Sequence, residues 1–333
     1  MKYRRFGRTG LEISELVLGG GWVGGLLIQA DDETKRAALA RATAAGVNWI
    51  DTAASYGQGQ SETAIGWLLE ELDTRPIVST KVRLDPARLD DIPGQIEAGM
   101  HESLARLRLE SVELFQLHNP LAGDGRGDSI TLEHVLGAKG AAEGLERMRD
   151  QGLTRFIGMT ALGEAAMCRD AIDSGRFDSA QVYYNLLNPS AGRAMPEAWT
   201  GQSFAGLIEA CRKHDTAVMA IRILAAGVLA SEQRHGREIV VAEASDVPTE
   251  EIRARAALSA LGLEESGRTA HGTRAQTALR FVLANPDIAG AVIGLAELDH
   301  LDEALAAVEA GPLPDDALAA LDAVYAANFG LGS

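Results

Sequence analysis

Short apolar runs alternate with amphipathic stretches along most of the chain. The apolar runs have the pattern of strands buried on both faces and occupy residues 16–20, 47–51, 76–81, 112–118, 155–160, 179–184, 216–221 and 289–294. Helical periodicity follows at 33–45, 61–72, 93–107, 131–150, 162–174, 203–214, 273–284, 298–310 and 315–327. Eight strands alternating with helices predict a closed (β/α)8 TIM barrel of the α/β class, with an extra helix at the C-terminus.

Local signals refine this prediction. Residues 1–13 are interrupted by glycines and predict a short β-hairpin ahead of the first barrel strand. Asp31 and Asp32 precede the first predicted helix, and Ser61 precedes the second. Each is a predicted N-cap, because a short polar side chain there accepts a hydrogen bond from a free backbone N–H.

Three connections are longer than a barrel needs. They span residues 119–130, 185–202 and 222–271, and the third contains a further predicted helix at 249–262. All three follow the carboxyl ends of strands, the face on which barrel enzymes carry their active sites. No linker rich in Pro, Gly or Ser divides the chain, so residues 1–333 are expected to form one domain.

Composition narrows the classes of function. The chain has 47 acidic and 31 basic residues, a formal charge of −16, which repels phosphate backbones and disfavours nucleic-acid binding. There is no apolar run long enough for a membrane span and no secretion signal at the start, so a cytoplasmic protein is expected. Cys168 and Cys211 have neither the number nor the spacing of a disulfide framework or a zinc site.

Candidate chemistry collects at three successive strand ends. The second predicted strand ends at Asp51, the third at Lys81 and the fourth at His118, while Tyr56 lies in the loop after the second. Consecutive strand ends are neighbours in a barrel, so the four side chains are expected to converge. An ammonium group within hydrogen-bond reach lowers the pKa of a phenol, and a nearby carboxylate keeps that ammonium charged. The set is therefore predicted to be a proton-donating unit with Tyr56 as general acid or base.

Two other kinds of site have weaker support. Residues 19–24, GGGWVG, fit the glycine pattern of a dinucleotide-binding fold, but no helix opens at the last glycine as that pattern requires. A metal-dependent hydrolase needs ligands at strand ends. The remaining histidines fall mostly in helices or loops, at His101, His134, His214, His235, His271 and His300. No metal site is predicted.

Several stretches together indicate a family. In chain order they are DTAASYGQGQSE (51–62), VSTKV (78–82), ELFQLHNP (113–120), AQVYYNLLNP (180–189) and TALRFVLANPDIAGAVIG (277–294). Through these stretches the chain resembles the aldo-keto reductase superfamily over essentially its whole length. The resemblance implies that Asp51, Tyr56, Lys81 and His118 form a catalytic tetrad. It also implies a bound NAD(P)(H) and hydride transfer between nicotinamide C4 and a carbonyl or alcohol carbon.

The same resemblance implies contacts to the nicotinamide. Gln181 matches a glutamine that holds the carboxamide, while Thr160 and Ala161 stand where the family usually has Ser-Asn, which leaves only Thr160 able to form a hydrogen bond. Ile221 replaces an aromatic residue that stacks on the ring, and supports the ring by apolar contact instead. Arg222 replaces a serine, and is expected to reach the pyrophosphate or a substrate carboxylate, or else to remain a surface charge.

The segment after the last barrel strand bears on which cofactor is used. NADP-dependent members commonly place a Lys or Arg there, whereas this chain has Glu297 and Asp299, which would repel a 2′-phosphate. An asparagine that usually contacts adenine is replaced by Ala304. NAD(H) is therefore favoured over NADP(H), unless His300 or an arginine of the long seventh connection reaches the phosphate. The cofactor contacts expected in this segment are Gly294, Ala296, Glu297, His300 and Glu303.

The substrate is expected to be a small carbonyl or alcohol compound. By its family position, Trp22 lines the substrate pocket together with Tyr56 and His118, although core packing is an alternative for Trp22. A preference for NAD(H) favours oxidation of an aldose or a secondary alcohol, and a preference for NADPH favours reduction of an aldehyde or ketone. The alternative function is a cofactor-sensing binding subunit of the same fold, against which the complete tetrad argues.

Overall fold

Parallel strands form a closed barrel in the computed structural model, which describes residues 1–231, 242 and 245–331. The barrel strands are β3 (Leu16–Gly19), β4 (Trp49–Asp51), β5 (Ile77–Val82), β6 (Val112–Leu117), β7 (Thr154–Ala161), β8 (Ser179–Tyr183), β9 (Ala217–Ile221) and β12 (Gly290–Gly294). Strands adjacent in this order pair in parallel, and β12 closes the barrel against β3. The predicted (β/α)8 barrel is confirmed.

Short antiparallel ribbons lie outside the barrel. Strands β1 (Tyr3–Arg5) and β2 (Glu12–Ser14) form the predicted N-terminal hairpin, and β10 (Arg268–Thr269) pairs with β11 (Gly272–Thr273) in the long seventh connection. The hairpin covers the amino-terminal end of the barrel, because the buried Phe6 ring lies 4.8 Å from the Trp49 ring at the start of β4. The opposite end of the barrel, at the carboxyl ends of the strands, is called the mouth below.

Helices surround the barrel and bury its outer apolar face. They are α1 (Leu26–Gln29), α2 (Asp32–Ala44), α3 (Gln60–Glu70), α4 (Ile92–Leu107), α5 (Leu132–Leu136), α6 (Ala141–Asp150), α7 (Ala165–Asp173), α8 (Leu207–Lys213), α9 (Val247–Ala260), α10 (Arg274–Leu283), α11 (Leu298–Ala310) and α12 (Asp315–Ala326). No helix of the described residues is long and apolar enough to cross a membrane.

The stretch 131–150, predicted as one helix, forms two. Helix α5 ends before Gly137, whose backbone is extended, and α6 begins after Gly140, which is extended too. A Cβ atom at Gly140 would lie 2.8 Å from the Val135 carbonyl oxygen, so the chain turns here at a point where only glycine fits. Periodicity alone did not reveal this break, because both halves present apolar residues at helical spacing.

The N-cap predictions were partly right. Asp31 caps α2 and accepts a hydrogen bond from the Thr34 N–H at 2.8 Å, while Asp32 lies within the first turn of that helix. Ser61 does not cap α3, because that helix begins one residue earlier, after Gly59, whose φ is 88°. A left-handed conformation of this kind favours glycine and ends the preceding loop. The Ser61 hydroxyl is therefore available for another contact.

Candidate active site

The mouth brings together the four side chains predicted to converge. Asp51 is the last residue of β4, Lys81 lies near the end of β5 and His118 directly follows β6. These strands are paired side by side, so their ends are neighbours. Tyr56 lies in the loop between β4 and α3, which returns over the same strand ends.

Asp51 and Lys81 form a buried ion pair. The Lys81 Nζ donates hydrogen bonds to Asp51 Oδ2 at 2.6 Å and to the Thr52 carbonyl oxygen at 2.8 Å, and Lys81 is 0% exposed. Burial lowers the pKa of Lys81, but the charge of Asp51 and the nearby Tyr56 outweigh burial and leave this pKa raised. The ammonium therefore stays charged at neutral pH.

Tyr56 extends this pair toward solvent. Lys81 Nζ lies 3.3 Å from Tyr56 Oη, within hydrogen-bond distance, and 4.9 Å from the centre of the Tyr56 ring. The Tyr56 and His118 rings meet edge to face, with centroids 5.6 Å apart. Tyr56 is only half-buried, so its phenol is the part of the Asp51–Lys81–Tyr56 series that a substrate can reach.

His118 is held as a neutral imidazole. Its backbone N–H donates to the Val82 carbonyl oxygen at 2.8 Å, and its Nδ1 lies 3.3 Å from the Ser55 hydroxyl. Burial lowers the pKa of His118 well below its ordinary value, and the charges of Lys81, Arg83 and Arg222 lower it further. A neutral imidazole has one N–H to donate, and the other nitrogen accepts.

Asp51 is held by a second set of contacts that the sequence did not reveal. Its Oδ1 accepts hydrogen bonds from Ser79 Oγ at 2.7 Å, Gln181 Nε2 at 2.8 Å and Gln116 Nε2 at 3.2 Å. Ser79 lies two residues before Lys81 and Gln116 two residues before His118. Because alternate residues of a strand share a face, this period of two was the available signal.

Residues expected to contact the nicotinamide occupy one side of the mouth. Thr160 in β7 lies in register with Gln181 in β8, and both are 2% exposed. The Thr160 hydroxyl has no hydrogen-bond partner among the described residues. A buried hydroxyl of this kind fits a bound polar group such as a carboxamide. Gln181 uses its amide N–H on Asp51, and Ala161 is fully buried and offers no side-chain donor.

The end of β9 has an unusual backbone. Ile221 is the last residue of the strand and is half-buried, and Arg222 follows with a φ of 61° in the left-handed region. The Arg222 carbonyl oxygen accepts a hydrogen bond from Asn185 Nδ2 at 2.9 Å, which helps to hold this conformation. Burial lowers the pKa of Arg222, whose charge also acts on His118.

The loops after β3 and β12 pack closely. A Cβ atom at Gly24 would lie 2.5 Å from the Leu295 backbone nitrogen, so glycine permits the approach.

Glu297 precedes α11 and is exposed, and Ala296 and His300 are half-buried. The Glu303 carboxylate accepts a hydrogen bond from the Thr273 hydroxyl, so it contributes to the start of α10. That contact was not anticipated.

Trp22 lies at the rim of the mouth. It is 44% exposed, which excludes the core-packing alternative. A Cβ atom at the preceding Gly21 would lie 3.9 Å from the Tyr56 ring, so this loop borders the phenol.

Within the described part of the chain, no three His, Cys, Asp or Glu side chains gather as metal ligands.

The fold is a (β/α)8 barrel with a hydrogen-bonded series Asp51–Lys81–Tyr56 at its mouth. The chain belongs to the aldo/keto reductase family, whose model matches residues 15–326. D-threo-aldose 1-dehydrogenase from Pseudomonas sp is 29% identical over 262 residues, covering 69% of this chain and 72% of that protein. The protein is therefore an oxidoreductase that acts on C=O or CH–OH groups.

Solved structures share the fold. The holo form of an aldo-keto reductase from Bacillus halodurans has a TM-score of 0.71 and 19% identity, covering 98% of this chain and 96% of that one. An aldo-keto reductase from Klebsiella pneumoniae in complex with NADPH has a TM-score of 0.66 and 23% identity, covering 97% and 95%.

Proposed function

We propose that Tyr56 is the general acid and base of this oxidoreductase. In carbonyl reduction the Tyr56 phenol gives its proton to the substrate oxygen, and in alcohol oxidation the phenolate takes that proton. A bound nicotinamide supplies or accepts the hydride. The observation that carries the proposal is the 3.3 Å contact between Lys81 Nζ and Tyr56 Oη, because it places a buried ammonium against the oxygen that gives up or takes the proton.

The neighbours of Tyr56 support this role. Asp51 holds Lys81 in place and keeps it charged, and the amides of Gln116 and Gln181 hold Asp51 from the other side. Neutral His118 is proposed to donate a hydrogen bond from Nε2 to the substrate oxygen, with Nδ1 turned to Ser55.

The substrate is proposed to lie between Tyr56, His118 and Trp22. The exposed indole of Trp22 provides an apolar wall at the rim of the mouth. An aldose oxidised at C1, or a secondary alcohol, is the proposed substrate class. The relative that is named as an aldose dehydrogenase supports this choice.

Cofactor contacts are proposed on the opposite side of the mouth. The partnerless hydroxyl of Thr160 supports a carboxamide there, and Gln181, Ile221 and Arg222 surround the same strand ends. Farther along the cofactor, the proposed contacts are Gly294, Ala296, Glu297, His300 and Glu303.

NAD(H) is the proposed cofactor in preference to NADP(H). Glu297 and Asp299 are both exposed beside the start of α11, where their charges oppose a 2′-phosphate. A protein of the same fold binds NADPH. In this chain, the two carboxylates are the observation that supports NAD(H).

Residues 1–333 are also proposed to act as one cytoplasmic domain. The last helix packs back onto the barrel side, where the Tyr325 hydroxyl donates to the Leu186 carbonyl oxygen at 3.0 Å. Cys168 and Cys211 are buried and unpaired, and burial raises the pKa of each thiol to about 12. Buried thiols without a disulfide are typical of a reducing compartment.

Titration with NADH and with NADPH, followed by nicotinamide fluorescence, tests the cofactor proposal. We expect NADH to bind about 3- to 10-fold more tightly, since each of the two exposed carboxylates contributes a like-charge contact of about 0.5 kcal/mol against a 2′-phosphate. Glu297→Gln, which removes one of the two charges, should narrow the difference. Tighter binding of NADPH would contradict the preference, and failure of both to bind would contradict the oxidoreductase mechanism.

A further inference from the structure

Glu62 is a fully buried carboxylate that the proposed chemistry does not use. It lies in the first turn of α3 and is 0% exposed. Its Oε1 accepts a hydrogen bond from Thr80 Oγ1 at 2.5 Å, and its Oε2 accepts one from Arg106 Nε at 2.6 Å. Thr80 directly precedes Lys81, so this carboxylate is tied to the strand that carries the ammonium.

The neighbouring Ser61 is tied to the other side of the site. Its hydroxyl lies 2.8 Å from the Thr52 hydroxyl, and its N–H donates to the Tyr56 carbonyl oxygen at 3.3 Å. Thr52 in turn accepts a hydrogen bond from Lys81 through its backbone oxygen. The first turn of α3 thus contacts Thr80, which precedes Lys81, and Thr52, which accepts a hydrogen bond from Lys81. It also contacts the backbone of Tyr56.

Arg106 closes this arrangement from α4. A Cβ atom at Gly59 would lie 2.6 Å from Arg106 Cδ, so the arginine packs directly on the end of the loop that carries Tyr56. A carboxylate as buried as Glu62 is tolerated only when it is paired and hydrogen-bonded, and Arg106 provides the charge. Arg106 also approaches Glu102 at 3.7 Å, on the solvent side.

We propose that the Glu62–Arg106 pair is a positioning device that fixes Lys81 Nζ against Tyr56 Oη. The inference rests on the proposed function of Tyr56. Glu62 holds β5 through Thr80, and Arg106 holds the Tyr56 loop through Gly59, so the pair ties together the two segments whose side chains must meet. Charged or titratable groups facing the phenol are Lys81, His118 and Arg222.

Thr80→Val tests the proposal with little change in volume or charge. It removes the hydrogen bond to Glu62, and Glu62→Gln weakens the contact with Arg106. We expect kcat to fall about 10- to 100-fold because small misplacement of reacting groups is costly. KM and the Kd of the cofactor should change less than about 3-fold, since neither residue lies at the mouth.

A second measurement separates positioning from the role of Tyr56 itself. Thr80→Val is combined with Tyr56→Phe, and the residual kcat of the double variant should stay within about 3-fold of that of Tyr56→Phe alone, because a positioning effect then has no phenol left to act on. A wild-type kcat in Tyr56→Phe would defeat the proposed function, whereas an equal loss from Thr80→Val in both backgrounds would overturn the positioning role.

Glu70→Gln is the matched control. Glu70 in α3 pairs with Arg108, directly after α4, at 2.6 Å, and both side chains are about half exposed. The control breaks a charge pair between α3 and the end of α4, so its kcat should match the wild type. A Thr80→Val protein that loses thermal stability but keeps the wild-type kcat would overturn the proposal.

Discussion

A single carboxylate organises the site at the scale of residues. Asp51 accepts hydrogen bonds from Lys81, Ser79, Gln116 and Gln181, so both of its oxygens are occupied. The carboxylate is thus fixed beneath Lys81 and holds the Lys81 ammonium in place. These hydrogen bonds fix the position of Asp51, and Asp51 in turn fixes the position of Lys81.

His118 gives a pH dependence to stability. Because its pKa is depressed in the fold, the unfolded chain binds a proton that the folded chain does not, at pH values below about 6.5. The stability that neutral His118 contributes is fully present above that value and is lost as the pH falls. When the pH falls from about 7.5 to 5, the free energy of unfolding of His118→Asn should decrease by about 1 kcal/mol less than that of the wild type.

Chemical denaturation at the two pH values measures this difference. His101→Asn is the control, since His101 is exposed on α4. If the wild type and His118→Asn lose equal free energy on acidification, His118 does not titrate as described.

At the scale of elements, helices α3 and α4 support the loop of Tyr56. They approach so closely at Gly66 that a Cβ atom there would lie 2.3 Å from the Arg106 carbonyl oxygen. This is a contact with backbone, which cannot rotate away. The same approach brings Arg106 within reach of Glu62.

Gly66→Ala should therefore destabilise the protein. Overpacking of this kind costs about 1–3 kcal/mol, more than the gain of about 1 kcal/mol in helix propensity. Gly144→Ala in α6 is the control, because the nearest atom there is the tip of the Ile96 side chain, which can move. Denaturant unfolding should show a clear loss for Gly66→Ala and a change within about 1 kcal/mol for Gly144→Ala. Equal effects would contradict the backbone contact.

Sequence patterns predicted the strand ends better than the contacts between them. Asp51 was placed correctly at the end of its strand, and Lys81 and His118 to within one residue of theirs, because buried parallel strands leave continuous apolar runs. The bond from Gln181 to Asp51 joins strands far apart in the chain, and depends on barrel closure, which no local pattern encodes. Ser61 was assigned to an N-cap because the left-handed turn at Gly59 is not visible in a helical pattern.

At the scale of the whole molecule, the formal charge is −16, so the surface as a whole repels polyanions. The cations nearest His118 are largely compensated: Lys81 pairs with Asp51 at 2.6 Å, and Arg83 pairs with Asp128 at 2.7 Å, in the long connection after β6. Arg222 also acts on His118 from the end of β9.

The most direct test of Tyr56 as the acid and base is single-turnover hydride transfer by Tyr56→Phe, with cofactor binding measured on the same protein. The phenyl ring keeps the packing against His118 but has no proton to give. We predict a cofactor Kd within about 3-fold of the wild type and a transfer rate lowered by about 100-fold or more. A variant that binds the cofactor and transfers hydride at the wild-type rate would show that Tyr56 is not the acid and base.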